Sequence, residues 1–405
     1  MSFRDRFIAG RRPARVFGGF GDCLAGSFKK SVLAYLRPVA AFVVMGLVFI
    51  AAGSAAAETA ANDLTVADAL KETKVNGFVS TGYTYNFNEP HSRAVNYRPF
   101  NAKSDSFGLE LAQLVFHKDA SDVESTGFKL DLNFGYSVPA AIHSTGYTPS
   151  GDFDIRQAYV TYVAPVGGGL KLDAGKFVTE MGLEVIEGYE DWGANYSRSL
   201  LFYNTIPYTH TGLRGTYAFT DKLTFVGMIA NGWDNVTDNN GGKTLGGHVM
   251  YMPTKDTMFN VKYCVGPEQT DNNSNLRHVV DINATTTLAN KLVLKGDYVY
   301  GAEKGVPGIG NANWTGIAGV IRYPFSGKLA LNLRAEFFKD SDGARTGVKQ
   351  KLYEATVTPE YTVSDNMVVR AEYRHDRSDQ RVFDKKDPAT AKSQDTVGFN
   401  AIYHF

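Results

Sequence analysis

Leu329-Ala330-Leu331-Asn332-Leu333-Arg334-Ala335-Glu336-Phe337 carries an apolar or small residue at each odd position, while its even positions run Ala, Asn, Arg, Glu. Side chains of an extended strand point alternately to opposite faces, so this stretch has one apolar face ending on an aromatic and one polar, charged face. The rhythm recurs along the chain. Phe128, Leu130, Leu132, Phe134 and Tyr136 alternate with Lys129, Asp131, Asn133 and Gly135, and Met367, Val369, Ala371 and Tyr373 alternate with Val368, Arg370, Glu372 and Arg374. Blocks of about ten residues suit tilted strands that cross a bilayer. A soluble sandwich alternates as well, so the period alone does not decide.

The links between blocks do. Sixteen blocks begin near residues 76, 106, 126, 152, 169, 208, 222, 244, 257, 276, 291, 313, 328, 351, 366 and 395. Links after even-numbered blocks are short, for example Thr220-Asp221, Ala289-Asn290, Ser326-Gly327 and Ser364-Asp365. Links after odd-numbered blocks are mostly long and polar: 88–104, 139–151, 178–207, 233–243, 302–312 and 378–393. Short turns on one side and long loops on the other are the pattern of outer-membrane barrels, with the turns in the periplasm and the loops outside the cell. The fold expected is all-β: a closed antiparallel transmembrane β-barrel of about sixteen strands over residues 75–405. No apolar run after residue 75 is long enough for a membrane-spanning helix.

Composition agrees. Of 405 residues 22 are Tyr, 26 Phe and 41 Gly, against only 14 Pro, which suits many strands with tight turns and rings at a water–lipid boundary. Ahead of the barrel, Lys29, Lys30 and Arg37 precede an apolar run from Val39 to Gly53, followed by Ser54-Ala55-Ala56-Ala57. A basic flank, a short apolar core and small residues at the end read as a cleaved secretory signal peptide over residues 1–57, with residues 58–74 as a periplasmic lead. Cleavage would remove eight basic and two acidic residues and leave a net charge of −6, which is no nucleic-acid footprint. It would also leave Cys264 as the only thiol, a wall residue rather than a nucleophile.

Sixteen strands enclose an aqueous channel, whereas about eight are filled by their own side chains. The inner wall is expected to present Lys171, Asp173, Arg214, Asp281, Lys295, Asp297, Arg334, Glu336, Arg370, Glu372 and Arg374, because a Lys or Arg facing lipid at mid-membrane costs roughly 2–4 kcal/mol. The longest link, 178–207, carries Glu180, Glu184, Glu187, Glu190 and Asp191 with Trp192, and no basic residue until Arg198. Folded inward, it would set carboxylates opposite the arginines and narrow the pore. An acidic surface lid is the alternative. The terminal stretch Val397-Gly398-Phe399-Asn400-Ala401-Ile402-Tyr403-His404-Phe405 places Phe399, Tyr403 and Phe405 on one lipid-facing side. A terminal aromatic of this kind reads as the signal recognised by the outer-membrane assembly machinery, and pairing with the first strand would remove both sheet edges.

Arg156-Gln157-Ala158-Tyr159-Val160-Thr161-Tyr162, Pro207-Tyr208-Thr209-His210-Thr211-Gly212, Asn231-Gly232-Trp233-Asp234-Asn235 and Gly266-Pro267-Glu268-Gln269 resemble the β-barrel porins called OmpL-like, or porin-2, from about residue 70 to the terminus. The resemblance implies a water-filled outer-membrane pore for passive diffusion of small hydrophilic solutes or ions. The third loop is similar in position to the constriction loop of general sixteen-stranded porins, which implies a homotrimer. Outer-membrane lipid and lipopolysaccharide are the expected surroundings, with no cofactor, no metal and no nucleic acid.

Two rival functions stand beside the pore. An adhesin or receptor would use the long loops. A barrel hydrolase would need a nucleophile, base and orienting group together. The candidate bases His91, His117, His143, His210, His248, His278 and His375 lie in no such motif, the nearest being His210 between Thr209 and Thr211. Residues 234–240, rich in Asp and Asn, lack the bidentate Glu of an EF-hand, so a polar loop is the better reading there.

Overall fold

The computed structural model describes residues 72–138, 151–186, 195–289, 291–387 and 389–405. The expected signal peptide, nearly all of the lead and His143 lie outside them. The strands in order are β1 (Lys74–Asn86), β2 (Ser106–Lys118), β3 (Thr126–Phe134), β4 (Phe153–Ala164), β5 (Leu170–Val178) and β6 (Thr209–Ala218). There follow β7 (Leu223–Ala230), β8 (Thr244–Thr254), β9 (Thr257–Pro267), β10 (Leu276–Leu288), β11 (Leu292–Val306) and β12 (Gly310–Pro324). The chain continues with β13 (Leu329–Asp340), β14 (Gln350–Ser364), β15 (Met367–Ser378), two short strands β16 (Phe383–Asp384) and β17 (Thr390–Ala391), and β18 (Ser393–His404).

Sixteen of these, β1–β15 and β18, form one closed antiparallel barrel in which sequence neighbours pair and β18 closes onto β1. β16 and β17 make a separate two-stranded ladder in the last long loop. Each barrel strand begins within about three residues of its expected position. Among the described residues no helix is long and apolar enough to cross a membrane.

One link differs from expectation. Residues 302–312 read as a long loop, but β11 runs to Val306 and β12 starts at Gly310. Gly305, Gly308 and Gly310 take φ of +57°, +75° and +95°, a conformation open to glycine at little cost. A glycine-dense stretch that looked like a loop is a tight hairpin carried up by two fifteen-residue strands.

Burial follows the alternation. Leu333, Tyr353, Val357, Tyr373, Val397 and Phe399 are exposed on the outer face, while Asn332, Arg334, Thr356, Thr358, Arg374 and Asn400 are buried on the inner one. Outside, rings meet across strands: Tyr83 lies 4.6 Å from Phe107 and 5.8 Å from Phe399, and Phe337 lies 5.2 Å from Tyr353. Such rings sit where lipid meets water. At the seam Phe78 pairs with His404 and Asn86 with Thr396. The Phe405 N–H donates to the Gly77 carbonyl at 2.9 Å, and the Gly77 N–H donates back to the Phe405 carbonyl at 3.0 Å.

The β1–β2 ladder skips a residue: Ser80 pairs with Leu111 and Thr81 with Leu109. Glu110 is the extra residue of a bulge, and it is buried together with Leu111. That irregularity aims a carboxylate into the barrel.

Candidate functional site

The link from β5 to β6, residues 179–208, is described over 179–186 and 195–208, and it holds a short helix α1 (Leu200–Asn204). Its start leans on β9 and β10. The Gly182 carbonyl accepts from Lys262 Nζ at 2.6 Å and Asn283 Nδ2 at 3.2 Å, and its N–H donates to Asp281. Further along, Glu372 on β15 accepts from the N–H groups of Tyr196 and Ser197 at 2.8 and 3.1 Å. Glu336 on β13 accepts from the Leu200 and Leu201 N–H groups at 3.0 and 3.1 Å. Arg334 and Arg374 donate to the Ser197 and Arg198 carbonyls, both at 2.6 Å. The Tyr196 hydroxyl reaches Glu110 on β2.

In the sixteen-strand ring β5–β6 and β13–β14 are eight strands apart, half the circuit. A segment that leaves β5, bonds to β13 and β15, and returns to β6 therefore spans the lumen. The described parts of the loop thus bond to inward-facing residues of β9, β10, β13 and β15.

Apolar packing holds it there. Leu200, Leu201, Phe202 and Ile206 are buried in one cluster with inward residues of the wall, among them Trp314, Phe338, Val279 and Leu352. Fully burying a side chain of this size is worth roughly 1.5–3 kcal/mol. Small wall residues make the seats. A side chain at Gly398 would meet the Tyr196 ring at 2.7 Å, one at Gly82 would meet the Tyr196 hydroxyl at 2.7 Å, and one at Gly316 would meet Leu201 at 2.7 Å. Sequence reading missed Tyr196, Glu110 and this apolar bed. The available signals were Leu200-Leu201-Phe202 inside a polar link and the doubled ring Phe337-Phe338, where alternation breaks.

Of the expected wall residues, Lys295, Arg334, Arg370 and Arg374 are buried inside the barrel, while Lys171 and Arg214 are half-buried. The arginines are already engaged. Arg334 lies 2.9 Å from Glu354, Arg370 3.0 Å from Glu360, and Arg374 2.7 Å from Asp376. The expectation that loop carboxylates face arginines across water is corrected at two positions. Glu184 touches Arg334 at 3.1 Å, and Glu180 touches Arg214 at 2.8 Å. In a partly dry interior, opposite charges gain most in contact, where their hydrogen bonds are also satisfied. Glu187, Glu190, Asp191 and Trp192 lie outside the described residues.

Burial pushes the Glu180 carboxyl up, but the hydrogen bond with His248 and the charge of Arg214 outweigh it and hold the group down at about 2. With its pKa depressed on docking, its contribution is present above the ordinary carboxylate range and lost only as pH falls through about 2. The contact is thus expected to persist from pH 7 to pH 4, with single-channel current steady over that window. Glu180→Gln should make the current visibly noisier at both pH values.

His210 is buried, with Thr179 Oγ1 3.1 Å from its Nε2 and the Gly232 carbonyl 3.0 Å from its Nδ1; among the described residues no carboxylate is hydrogen-bonded to it. Asp234 accepts from the N–H groups of Tyr208 and Thr209 at 2.7 and 2.9 Å, pinning the loop's return to β6. Among the described residues no cluster of His, Cys, Asp and Glu could hold a metal ion.

A closed sixteen-strand barrel with a lipid-facing outside, a polar inside and an inward third loop is the architecture of an outer-membrane porin. The chain belongs to the family described as "Putative beta-barrel porin-2, OmpL-like", whose model matches residues 72–405. It is an outer-membrane channel protein. No protein with a curated sequence matches it. Its fold is similar to that of the outer membrane channel DcaP of Acinetobacter baumannii, with 14% identity, TM-score 0.55, and 82% of this chain and 97% of that one covered. It is similar also to an anion-selective porin from Comamonas acidovorans, at 12% identity and TM-score 0.55 with 82% and 99% covered. OmpT of Vibrio cholerae, solved in a trimer form, aligns at 13% identity and TM-score 0.53 with 82% and 99% covered.

Proposed function

We propose that the protein is a passive diffusion pore for small hydrophilic solutes or ions, and that residues 179–208 set its narrowest section. The observation that carries this reading is the span of the loop across the barrel, from β5 to Glu336 on β13 and Glu372 on β15. With arginines and carboxylates in contact, selection rests on the width left beside the loop more than on an open transverse field. The chain is read as non-enzymatic, exported by a cleaved signal peptide over residues 1–57, and assembled as a homotrimer like the solved OmpT form.

Purified protein in planar bilayers should give stable open steps. A silent bilayer would sink the pore reading and leave the long loops as an adhesive surface. The constriction has its own test in Gly398→Val, which fills the seat of the Tyr196 ring while leaving the outward face of β18 intact. Expected is an unseated loop and a conductance raised by roughly half, pore resistance being set at the narrowest section. Wild-type conductance in a folded Gly398→Val barrel would contradict it.

A further inference from the structure

We propose that the outer rim of β13–β15 is a binding site for the phosphate groups of the outer-leaflet glycolipid, lipopolysaccharide. Lys339 is the last residue but one of β13, Lys351 the second of β14 and Arg377 the last but one of β15, all at the long-loop side of the barrel. All three are exposed, and each continues an outward-facing series: Phe337 before Lys339, Tyr353 after Lys351, and Tyr373 and His375 before Arg377. They therefore point at lipid headgroups and not into the lumen.

Register brings them together. Lys339 and Lys351 are direct cross-strand partners, and Arg377 pairs with Tyr353, two residues along from Lys351. Like charges directly opposite one another on a sheet destabilise it, their Cβ atoms being roughly 5 Å apart. None of the three has an ion pair or side-chain hydrogen bond among the described residues. The nearby acids are occupied elsewhere. Asp379 accepts the Lys351 backbone N–H at 2.9 Å, Asp342 lies 3.9 Å from Lys349, and Asp395 is held by the Tyr373 hydroxyl at 2.6 Å and His375 at 2.8 Å.

Directly below the charges lies the Phe337–Tyr353 ring contact of the lipid boundary. One step of two residues along a strand is about 7 Å, which lifts the three cations from that boundary into the headgroup layer. Elsewhere the outward positions at this edge include rings and aliphatics, such as Tyr83, Phe107, Ile229 and Leu245, with Lys304 on β11 as a further cation near His278. A phosphate spanning Lys339, Lys351 and Arg377 would relieve their repulsion through charge-assisted hydrogen bonds, with acyl chains lying on the rings below.

The test is binding of lipopolysaccharide micelles to the purified full-length protein. It compares wild type, Lys339→Gln/Lys351→Gln/Arg377→Gln, the charge-preserving Lys339→Arg/Lys351→Arg, and Lys222→Gln at a turn on the opposite rim. Heat-modifiable migration confirms that each variant is folded, and Lys351→Gln alone serves if the triple variant is not. The triple variant should lose on the order of 100-fold in affinity, each basic group near an anionic surface being worth roughly a factor of five. The arginine variant and Lys222→Gln should bind as wild type. Enzymatic removal of the lipid A phosphates should abolish the difference between wild type and triple variant. Three results would each overturn the site: undiminished binding by the triple variant, binding that ignores phosphate removal, or an equal loss in Lys222→Gln. Ion conduction plays no part in the measurement, so failure of the pore reading leaves this outcome unaffected.

Discussion

Deleting residues 182–189 is expected to roughly double the single-channel conductance while leaving the barrel folded, because resistance concentrates at the narrowest section of a pore. The deletion removes Gly182, which three wall side chains grip, and Glu184, which joins Arg334 to the Ser199 N–H. Those bonds bring the first half of the loop across to β9, β10 and β13, and without them the loop keeps only the bonds of its second half, to Arg334 and Glu336 on β13 and to Glu372 and Arg374 on β15. The ladder is untouched, since each strand pairs with its neighbours independently of the loop. Heat-modifiable migration should accordingly stay that of a closed barrel. A folded deletion variant with unchanged conductance would end the case for the loop as constriction.

Loss of Phe405 is expected to reduce the amount of folded barrel in the outer membrane on the order of tenfold, since unpaired strand edges in lipid leave each backbone group several kcal/mol out of pocket. The residue makes both backbone hydrogen bonds to Gly77, and its ring covers the spot where a Gly77 side chain would stand, 2.7 Å away. Phe405 is also the last of the outward aromatics read as the assembly signal. Gly77→Val should fail in the same direction, as its Cβ would come within 2.5 Å of the Gln113 carbonyl. Wild-type levels of heat-modifiable barrel after removing Phe405 would show that closure needs neither contact nor signal.

Much of the barrel could be read in advance because its signals are local. Leu329 to Phe337 alternates within nine residues, and Ser326-Gly327 or Ser364-Asp365 marks a turn within two. The wall charges followed from the same parity, so Arg334, Arg370 and Arg374 land inside. What could not be read is who meets whom across the lumen. Glu372 and Tyr196 are 176 residues apart, and no spacing rule links them. For the same reason Glu184 and Arg334 looked like opposite sides of a field and are in fact a contact pair. Glu110 faces inward through a bulge, which inserts a residue without a turn or breaker to announce it. The hairpin at 307–309 was concealed by the reverse confusion, glycines that signal a loop being equally suited to a tight turn.

The reach of the third loop also carries a timetable. Its hydrogen bonds to Glu336 and Arg374 join residues 135 and 176 apart, and both partners lie in the last quarter of the chain. Contacts this distant in sequence form only after the intervening chain is in place. Leu200, Leu201 and Tyr196 therefore have no bed until β13, β15 and the β1–β18 seam exist. The whole seat of the loop exists only in the completed ring, so full docking requires that ring to be closed. A docked third loop is thus a record of completion: it reports that the last strand has met the first.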